Sequence, residues 1–459
     1  MNPVELARGR FQGRTVGIVG LGREGMALGR FMLSVGATVV GTDDRPLASL
    51  SREVEELQAS GARLLAGGAR EAVLDTDYLF VSPGVPLDHP LLKAAARRRL
   101  QLYSEPDLVL ELSPALTVGI TGSSGKSTTT SLVAAIASAT GRKVFLGGNI
   151  GTPLVERLGE MGAEDVVVQE LSSFQLELVR HSPHVAMITN ITPNHLDRHG
   201  TMEAYVEAKR GILRWQGAGD WLVLNADDDQ CVRLADTSAS RLAWFSLRGS
   251  VANGAYREGS AIFVARQGEQ ERVCERREVP LLGEHNLANV VAAVAVAGIL
   301  GIPAAHMRQA VLSFRPLPHR LEKVGTIAGA DYYNDSIATS PERAIAGMRA
   351  FESPVLLLTG GRDKHLPWDS WMAEARRRAR LVILFGELGA LLEPRLAASG
   401  LPYERHSTLE QAVQAAYREA RPGEVVLFSP GGTSFDAFRD FEERGECFRA
   451  LVTRLERSA

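Results

Sequence analysis

Residues Thr121-Gly122-Ser123-Ser124-Gly125-Lys126-Ser127-Thr128 join a β-branched apolar run, Leu116–Thr121, to a helical pattern over Ser127–Thr140. A Gly-rich strand-to-helix turn exposes several backbone N–H groups at once, and such a cradle suits phosphate oxygens. Lys126 adds a mobile positive charge, and a hydroxyl next to it can sit on Mg²⁺. The spacing is shorter than in the usual P-loop, since position 120 is Ile and the turn reads G-x-x-G-K-S. ATP or GTP binding is the chemistry expected of this turn.

A second turn of related build lies near the N-terminus. Gly20-Leu-Gly22-Arg-Glu-Gly25 follows the run Thr15–Gly20, and Asp43 and Asp44 close the next run. The G-x-G-x-x-G spacing brings a phosphate close to a helix N-terminus, and an acidic residue after the second strand can hold a ribose or base edge. Arg45 beside the two aspartates leaves the choice between NAD and another nucleotide open. Downstream of Lys126 come Asn149 in GGNIGTP, Glu170 at the end of VVVQE, His195 in PNHLDRHG and Lys209 in YVEAKR. A carboxylate after an apolar strand, downstream of a phosphate loop, is where a Mg²⁺ ligand is wanted. Each residue also has a plainer role: Glu170 as a solvated strand end, His195 as a helix cap, Lys209 as an exposed helix charge.

The elements that must position these groups are legible as an alternation. Apolar runs at Thr15–Gly20, Ala37–Asp43, Tyr78–Ser82, Leu116–Thr121, Lys143–Leu146, Asp165–Glu170, Val185–Asn190, Trp221–Asn225, Val355–Thr359, Leu381–Phe385 and Glu424–Ser429 are separated by helix-length segments. Such alternation predicts parallel sheets covered by helices, with ligands beyond the carboxyl ends of the strands. Residues 240–280, short, strand-like and charged, read as an excursion of the middle domain. With 459 residues and about 150 per domain, roughly three domains are expected. EPDLVLELSP (105–114) and FRPLP (314–318) mark the boundaries, giving 1–104, 105–316 and 317–459.

Composition narrows the classes. The chain is 45% hydrophobic and 23% charged, with a net charge of −3, so neither disorder nor a general attraction to nucleic acid or anionic membrane is expected. Cys231, Cys274 and Cys447 are far apart and odd in number, which argues against a disulfide framework and for a reducing compartment. The N-terminus lacks an apolar core of signal-peptide length, and no apolar stretch reaches a membrane span. A cytoplasmic chain is expected.

TGSSGKST, GGNIG, ELSSFQL, HLDRH, YVEAKR, GEHNLANVVAA, LPHRLE, NDSIATSPE, TGGRDK and SPGGTSFDAFRDFEERGECF follow one another in this order. Together they resemble the ATP-dependent Mur ligases of peptidoglycan precursor synthesis, over nearly the whole chain. The last of them is similar to the signature of the D-glutamate-adding branch, and the DNPR-type motif of the diaminopimelate-adding branch is absent. The resemblance implies three α/β domains, each with a mainly parallel sheet flanked by helices: a Rossmann-like N-terminal domain for the UDP substrate, a central P-loop domain for ATP, and a Rossmann-like C-terminal domain for the amino acid. It implies an amide ligase that adds D-glutamate to UDP-N-acetylmuramoyl-L-alanine through an acyl phosphate and works as a monomer, without nucleic acid or membrane partners.

Roles follow position by position. Gly20, Gly22, Asp43, Asp44, Arg45 and Ser82 would hold the UDP part, with Asn149, Ser172 and Gln175 near the muramoyl-alanine end. The loop from Gly122 through Ser123, Ser124, Gly125 and Lys126 would hold the ATP phosphates, and Asn286, Asn289, Arg320 and Asp335 the rest of that nucleotide. Ser127 or Thr128 with Glu170 would take the first Mg²⁺, and His195 the second. Lys209 matches a lysine that many members carry as a carbamate, an additional metal ligand. Lys364, Ser434 and Phe441, with Thr339 beside them, would receive D-glutamate. Three places depart from the pattern. Ser124 replaces an Asn, Ile337 stands where these ligases usually have Lys, with Arg362 or Lys364 as the candidate compensating charge, and residues 362–367 (RDKHLP) differ from the commoner patterns around Lys364. An NAD-dependent oxidoreductase built on GLGREG, and a nucleotide-binding switch without catalysis, are the readings from other classes.

Overall fold

The computed structural model describes residues 2–46, 49–50, 53–67 and 71–458. Three mainly parallel sheets flanked by helices form three α/β domains. Two compact units contain them: residues 1–278 with 288–313, and residues 279–287 with 314–459.

In the first unit, strands β1 (Thr15–Val19), β2 (Thr38–Asp43), β3 (Arg63–Ala66), β4 (Tyr78–Val81) and β5 (Leu102–Tyr103) form a sheet in the order β3-β2-β1-β4-β5. All its pairings are parallel. The order reverses between β1 and β4, and a crevice for ligands opens at such a point beyond the strand ends. The second sheet of this unit contains β6 (Leu116–Thr121), β7 (Val144–Gly148), β8 (Val166–Glu170), β9 (Val185–Ile188), β10 (Trp221–Asn225), β11 (Arg241–Ser246), β12 (Gly254–Glu258), β13 (Ala261–Arg266) and β14 (Glu269–Glu275). Their order is β14-β13-β12-β11-β10-β9-β6-β8-β7. The pairings from β7 to β12 are parallel, and β12, β13 and β14 then run antiparallel. Residues 240–280 therefore extend the middle sheet, β11 in parallel and β12 to β14 antiparallel to one another, as their strand-like, helix-free pattern suggests.

The two sheets of the first unit share one apolar cluster. Phe11, Phe31 and Phe80 belong to the same cluster as Leu108, Val109, Phe145, Val155, Leu158 and Val167. The segment after residue 104 is a helix, Glu105–Leu112, whose Leu108 and Val109 are buried in that cluster.

The second unit holds β15 (Glu322–Ile327), β16 (Ala330–Asn334), β17 (Val355–Gly360), β18 (Ala379–Phe385), β19 (Tyr403–Arg405) and β20 (Val425–Gly431), in the order β15-β16-β20-β17-β18-β19. Only β15–β16 is an antiparallel pair. Val355 and Leu357 pack on one face of this sheet, Leu356 and Leu358 on the other. Where the sheet is covered on both faces there is no polar side to alternate with, so the inner strands β17, β18 and β20 are near-continuous apolar runs.

Candidate active site

The turn after β6 is held open by its own glycines and by the neighbouring strand end. Gly122 has φ +151°, and a Cβ there would lie 1.9 Å from Thr189 Oγ1. Gly125 has φ +80°, caps the helix Lys126–Ser138, and would meet Asn289 Oδ1 at 2.2 Å. Thr189 Oγ1 donates to the Ser124 carbonyl at 2.7 Å, and the Asn190 amide both accepts from Ser124 N–H at 3.0 Å and donates to its carbonyl at 3.0 Å. Ser123 Oγ donates to the Thr192 carbonyl and lies 3.0 Å from the Tyr205 hydroxyl. The loop shape is thus over-determined before any ligand arrives. Lys126 Nζ donates to the Gly122 carbonyl at 2.9 Å, folded back over the turn it belongs to. Ser127 and Thr128 are both buried at the start of the helix.

Glu170 ends β8, the strand beside β6, and is 1% exposed. Asn149 Nδ2 donates to its Oε1 at 2.6 Å, while Oε2 is buried without a hydrogen-bond partner. Glu170 is therefore no solvated strand end. A carboxylate oxygen buried without a donor is a position that a cation can satisfy. Among the described residues no cluster of three or more His, Cys, Asp or Glu could hold a metal ion. That donor set fits Mg²⁺, which is commonly held by one or two carboxylates together with substrate phosphates and water, and does not fit a caged ion.

Lys209 is not an exposed helix charge either: it is 1% exposed. Its Nζ donates to the Gly122 carbonyl at 2.8 Å and lies 4.7 Å from the Tyr205 ring centroid. Burial, with the Lys126 charge nearby, pushes its pKa well below the ordinary lysine value. His195 is exposed, at φ +54°, and precedes the short helix Leu196–His199 as its N-cap without a side-chain capping bond. Its ring meets Phe174 edge-on at 5.1 Å, and Phe174 stacks on His199 at 5.2 Å. Asn289 accepts from Thr129 Oγ1 at 3.3 Å, which brings it to the phosphate loop. Cys231 and Cys274 are buried, and desolvation raises both thiols, as expected of structural cysteines.

At the first turn, Gly20 has φ +93°, and a Cβ there would press on Ser82 and Val85 at 2.9 Å. Ser82 Oγ donates to the Gly20 carbonyl at 2.7 Å. Around Gly22 there is open space, the approach a phosphate needs. Asp43 is already engaged: Oδ2 accepts from Leu21 N–H at 2.9 Å and Oδ1 from Arg45 Nε at 2.9 Å. Burial tends to raise its pKa, but the Arg45 guanidinium and these N–H groups outweigh it and hold the carboxyl below its ordinary value. Asp44 is exposed and pairs with His89 at 2.9 Å. Gln175 has both ends of its amide occupied. Its Oε1 accepts from Ser172 N–H at 2.8 Å in a capping box, and its Nε2 donates to Glu24 Oε1 at 2.6 Å.

The second unit gathers another set. Asp335 is buried, accepts from Ser429 Oγ at 2.9 Å, and is raised by burial to about 7. Asn286 Nδ2 donates to the Leu282 carbonyl at 2.8 Å. Arg320 lies between two positive-φ residues, His319 and Leu321. Ser434 is 2% exposed. Phe441 begins the helix Phe441–Ser458, and its carbonyl accepts from Ser336 Oγ at 2.8 Å. Thr339 N–H donates to the Ile337 carbonyl at 2.8 Å, and Lys364 is exposed in the loop after β17. Arg362 forks onto Glu387 at 2.8 and 2.9 Å, so its charge is matched. The motif reading passed over Arg444. It is fully buried and donates to the Ser336 and Gly432 carbonyls at 2.9 and 3.0 Å, tying NDSIAT to SPGG. It passed over Thr189 and Asn190 as well, whose position directly after an apolar strand was the available signal.

Family models match the chain in three blocks. They are a Mur ligase MurD-like N-terminal domain over residues 14–104, a Mur ligase middle domain over 120–297, and a Mur ligase glutamate ligase domain over 319–432. The UDP-N-acetylmuramoylalanine–D-glutamate ligase of Symbiobacterium thermophilum is 41% identical over 443 residues, 95% of this chain and 97% of that one. The ligase of the same name from Koribacter versatilis is 38% identical over 448 residues, 97% and 98% of the two chains. Among solved structures, the UDP-N-acetylmuramate-alanine ligase of Thermotoga maritima shares the fold with a TM-score of 0.62 at 20% identity, over 97% of this chain and all of that one. A pseudomurein peptide ligase type C from Methanothermus fervidus does so with a TM-score of 0.58 at 18% identity, covering 96% of this chain. The phosphate loop, the buried carboxylate beside it and the buried lysine beneath it thus lie in a chain similar to these ligases nearly end to end, and the chain belongs to the Mur ligase family.

Proposed function

We propose that this chain is an ATP-dependent ligase (EC 6.3.2.9) that joins D-glutamate to UDP-N-acetylmuramoyl-L-alanine in cytoplasmic peptidoglycan precursor synthesis, with 1–104, 105–316 and 317–459 as its UDP-substrate, ATP and amino-acid domains. The observation that carries it is the convergence of Lys126 and Lys209 on the Gly122 carbonyl of one Gly-rich loop, with the buried Glu170 at the end of the adjoining strand, in a chain whose relatives of that activity align over 95% or more of its length. ATP with Mg²⁺, when bound, supplies the phosphoryl group that turns a carboxylate into an acyl donor. The residues supply position and charge. Loop N–H groups and Lys126 screen the repulsion between two anions. Glu170, with the Ser127 or Thr128 hydroxyl, offers oxygen ligands to Mg²⁺. No protein nucleophile is needed.

Lys209 is read as the site of a carbamate. Burial favours its uncharged form, and that amine can add to CO₂, forming an N–C bond and releasing a proton; the product is a carboxylate suited to a cation. His195 would serve the second ion beside it. A phosphate-release assay with UDP-N-acetylmuramoyl-L-alanine and a panel of amino acids tests the reading. Release dependent on D-glutamate is expected, and release dependent on L-alanine or a diamino acid instead would replace the substrate assignment.

A further inference from the structure

The two residues between Gly22 and Gly25 both bond to residues that follow strand ends of the middle sheet. Arg23 Nη2 donates to the Asn149 carbonyl at 3.1 Å. Asn149 in turn grips Glu170 twice: its N–H donates to the Glu170 carbonyl at 2.9 Å, and its Nδ2 to Oε1 at 2.6 Å. Glu24 is 7% exposed and accepts from Gln175 Nε2 at 2.6 Å. Gln175 Oε1 holds Ser172 by its N–H and hydroxyl, at 2.8 and 3.0 Å, two residues beyond Glu170. Two hydrogen-bond chains therefore leave adjacent residues of the first turn: one ends on the Glu170 carboxylate, the other on Ser172, two residues further along the chain.

We infer that Arg23 and Glu24 are positioning residues that fix Glu170, through Asn149 on one side and Gln175–Ser172 on the other, so that the first Gly-rich turn helps set the Mg²⁺ affinity of the phosphate loop. Glu24 Oε2 is buried with no partner, so the side chain is retained at a cost in desolvation that packing alone would not require. Gly148, at φ +91°, lets β7 run so close that a Cβ would lie 2.4 Å from the Glu170 carbonyl, and the backbone there has little freedom to slide. The orientation of the carboxylate then depends on the side chains that hold it. Residues that orient a metal ligand commonly change metal affinity about 10–100-fold when removed.

The inference rests on the proposed role of Glu170, and its test has a readout apart from turnover. Mg²⁺-dependent ATP binding to the full chain is measured by calorimetry for wild type, Arg23→Ala, Glu24→Ala and Glu24→Gln, with circular dichroism as the fold control. Glu24→Ala and Arg23→Ala should each raise the Mg²⁺ concentration needed for half-maximal ATP binding by about tenfold. Glu24→Gln keeps an acceptor oxygen for Gln175 and should stay within about twofold of wild type. Arg23 is exposed, so its variant tests the idea even if Glu24→Ala fails to fold. Unchanged Mg²⁺ dependence in folded Arg23→Ala and Glu24→Ala would overturn the inference, as would a Glu24→Gln chain as impaired as Glu24→Ala. A wild type that binds MgATP but releases no phosphate with UDP-N-acetylmuramoyl-L-alanine and D-glutamate would overturn the functional reading and leave the inference standing.

Discussion

Lys126 and Lys209 both donate to the Gly122 carbonyl, at 2.9 and 2.8 Å, yet their surroundings set them to different tasks. Lys126 begins a helix and can swing onto a phosphate, so Lys126→Ala should lower kcat by about 10³-fold or more while the fold persists. Near-normal turnover would remove it from the reaction. Lys209 cannot swing, because it is sealed in. Lys209→Ala should be nearly inactive, and millimolar short-chain carboxylates should restore part of the rate by entering the vacated space. Full activity without additive would show that no carbamate is needed. A third residue-scale effect concerns stability. Burial, then the neighbouring Glu105 carboxyl, raises Glu24 from the ordinary 4.5 to about 8. Through that window the folded chain binds more protons than the unfolded one, so stability is fullest at acid pH and falls as pH rises toward 8. The thermal midpoint of wild type should therefore drop between about pH 5 and 8 relative to Glu24→Gln, which carries no such proton. Parallel midpoints for the two chains across that range would contradict the assignment.

At the scale of elements, the glycines of the first turn separate packing from binding. A Cβ at Gly25 would lie 2.0 Å from the Gly20 carbonyl, backbone against backbone, whereas a Cβ at Gly22 would meet nothing. Gly25→Ala should lower the melting midpoint. Gly22→Ala should leave it unchanged and raise the KM for the UDP substrate alone, which steady-state kinetics with each substrate varied would detect. If Gly22→Ala changed no KM, the turn would be a packing feature only. The long parallel strands and the turns at their ends were legible in the sequence, because burial on both faces leaves apolar runs such as Val355–Leu358. The edges were not. β5 has two residues and β19 three, too few for any period to show, and β16 buries only alternate positions. The clamps around Glu170 were invisible for another reason: Arg23 and Asn149 are 126 residues apart, and Glu24 and Gln175 are 151 apart. Only the folded sheets bring such pairs together.

For the whole molecule, the two compact units carry different parts of the proposed chemistry, and that division can be read without turnover. Gly20, Gly22, the loop 122–128 and Glu170 belong to the first unit, and Thr339, Lys364, Ser434 and Phe441 to the second. A ligand that binds only the native state slows local opening around its site, in proportion to its saturation. Hydrogen exchange on the full chain should then show three separate footprints. UDP-N-acetylmuramoyl-L-alanine should protect amides just after Gly20 and Gly22, and MgATP those of 122–129. D-Glutamate should protect 336–341 and 431–441. The shared cluster joining Phe80 to Phe145 and Val167 makes the full chain the right object, since a cut after residue 104 would bare that apolar face. The first turn offers a pyrophosphate the same N–H groups whether the ligand is a UDP-sugar or NADH, so the turn alone does not discriminate. Asp44, paired with His89, and Arg45, paired with Asp43, are the proposed source of discrimination at this turn. Protection of residues 20–26 by NADH at concentrations where the UDP substrate gives none would overturn the assignment of the first domain. Protection of 431–441 by an amino acid other than D-glutamate, with none from D-glutamate itself, would overturn that of the last.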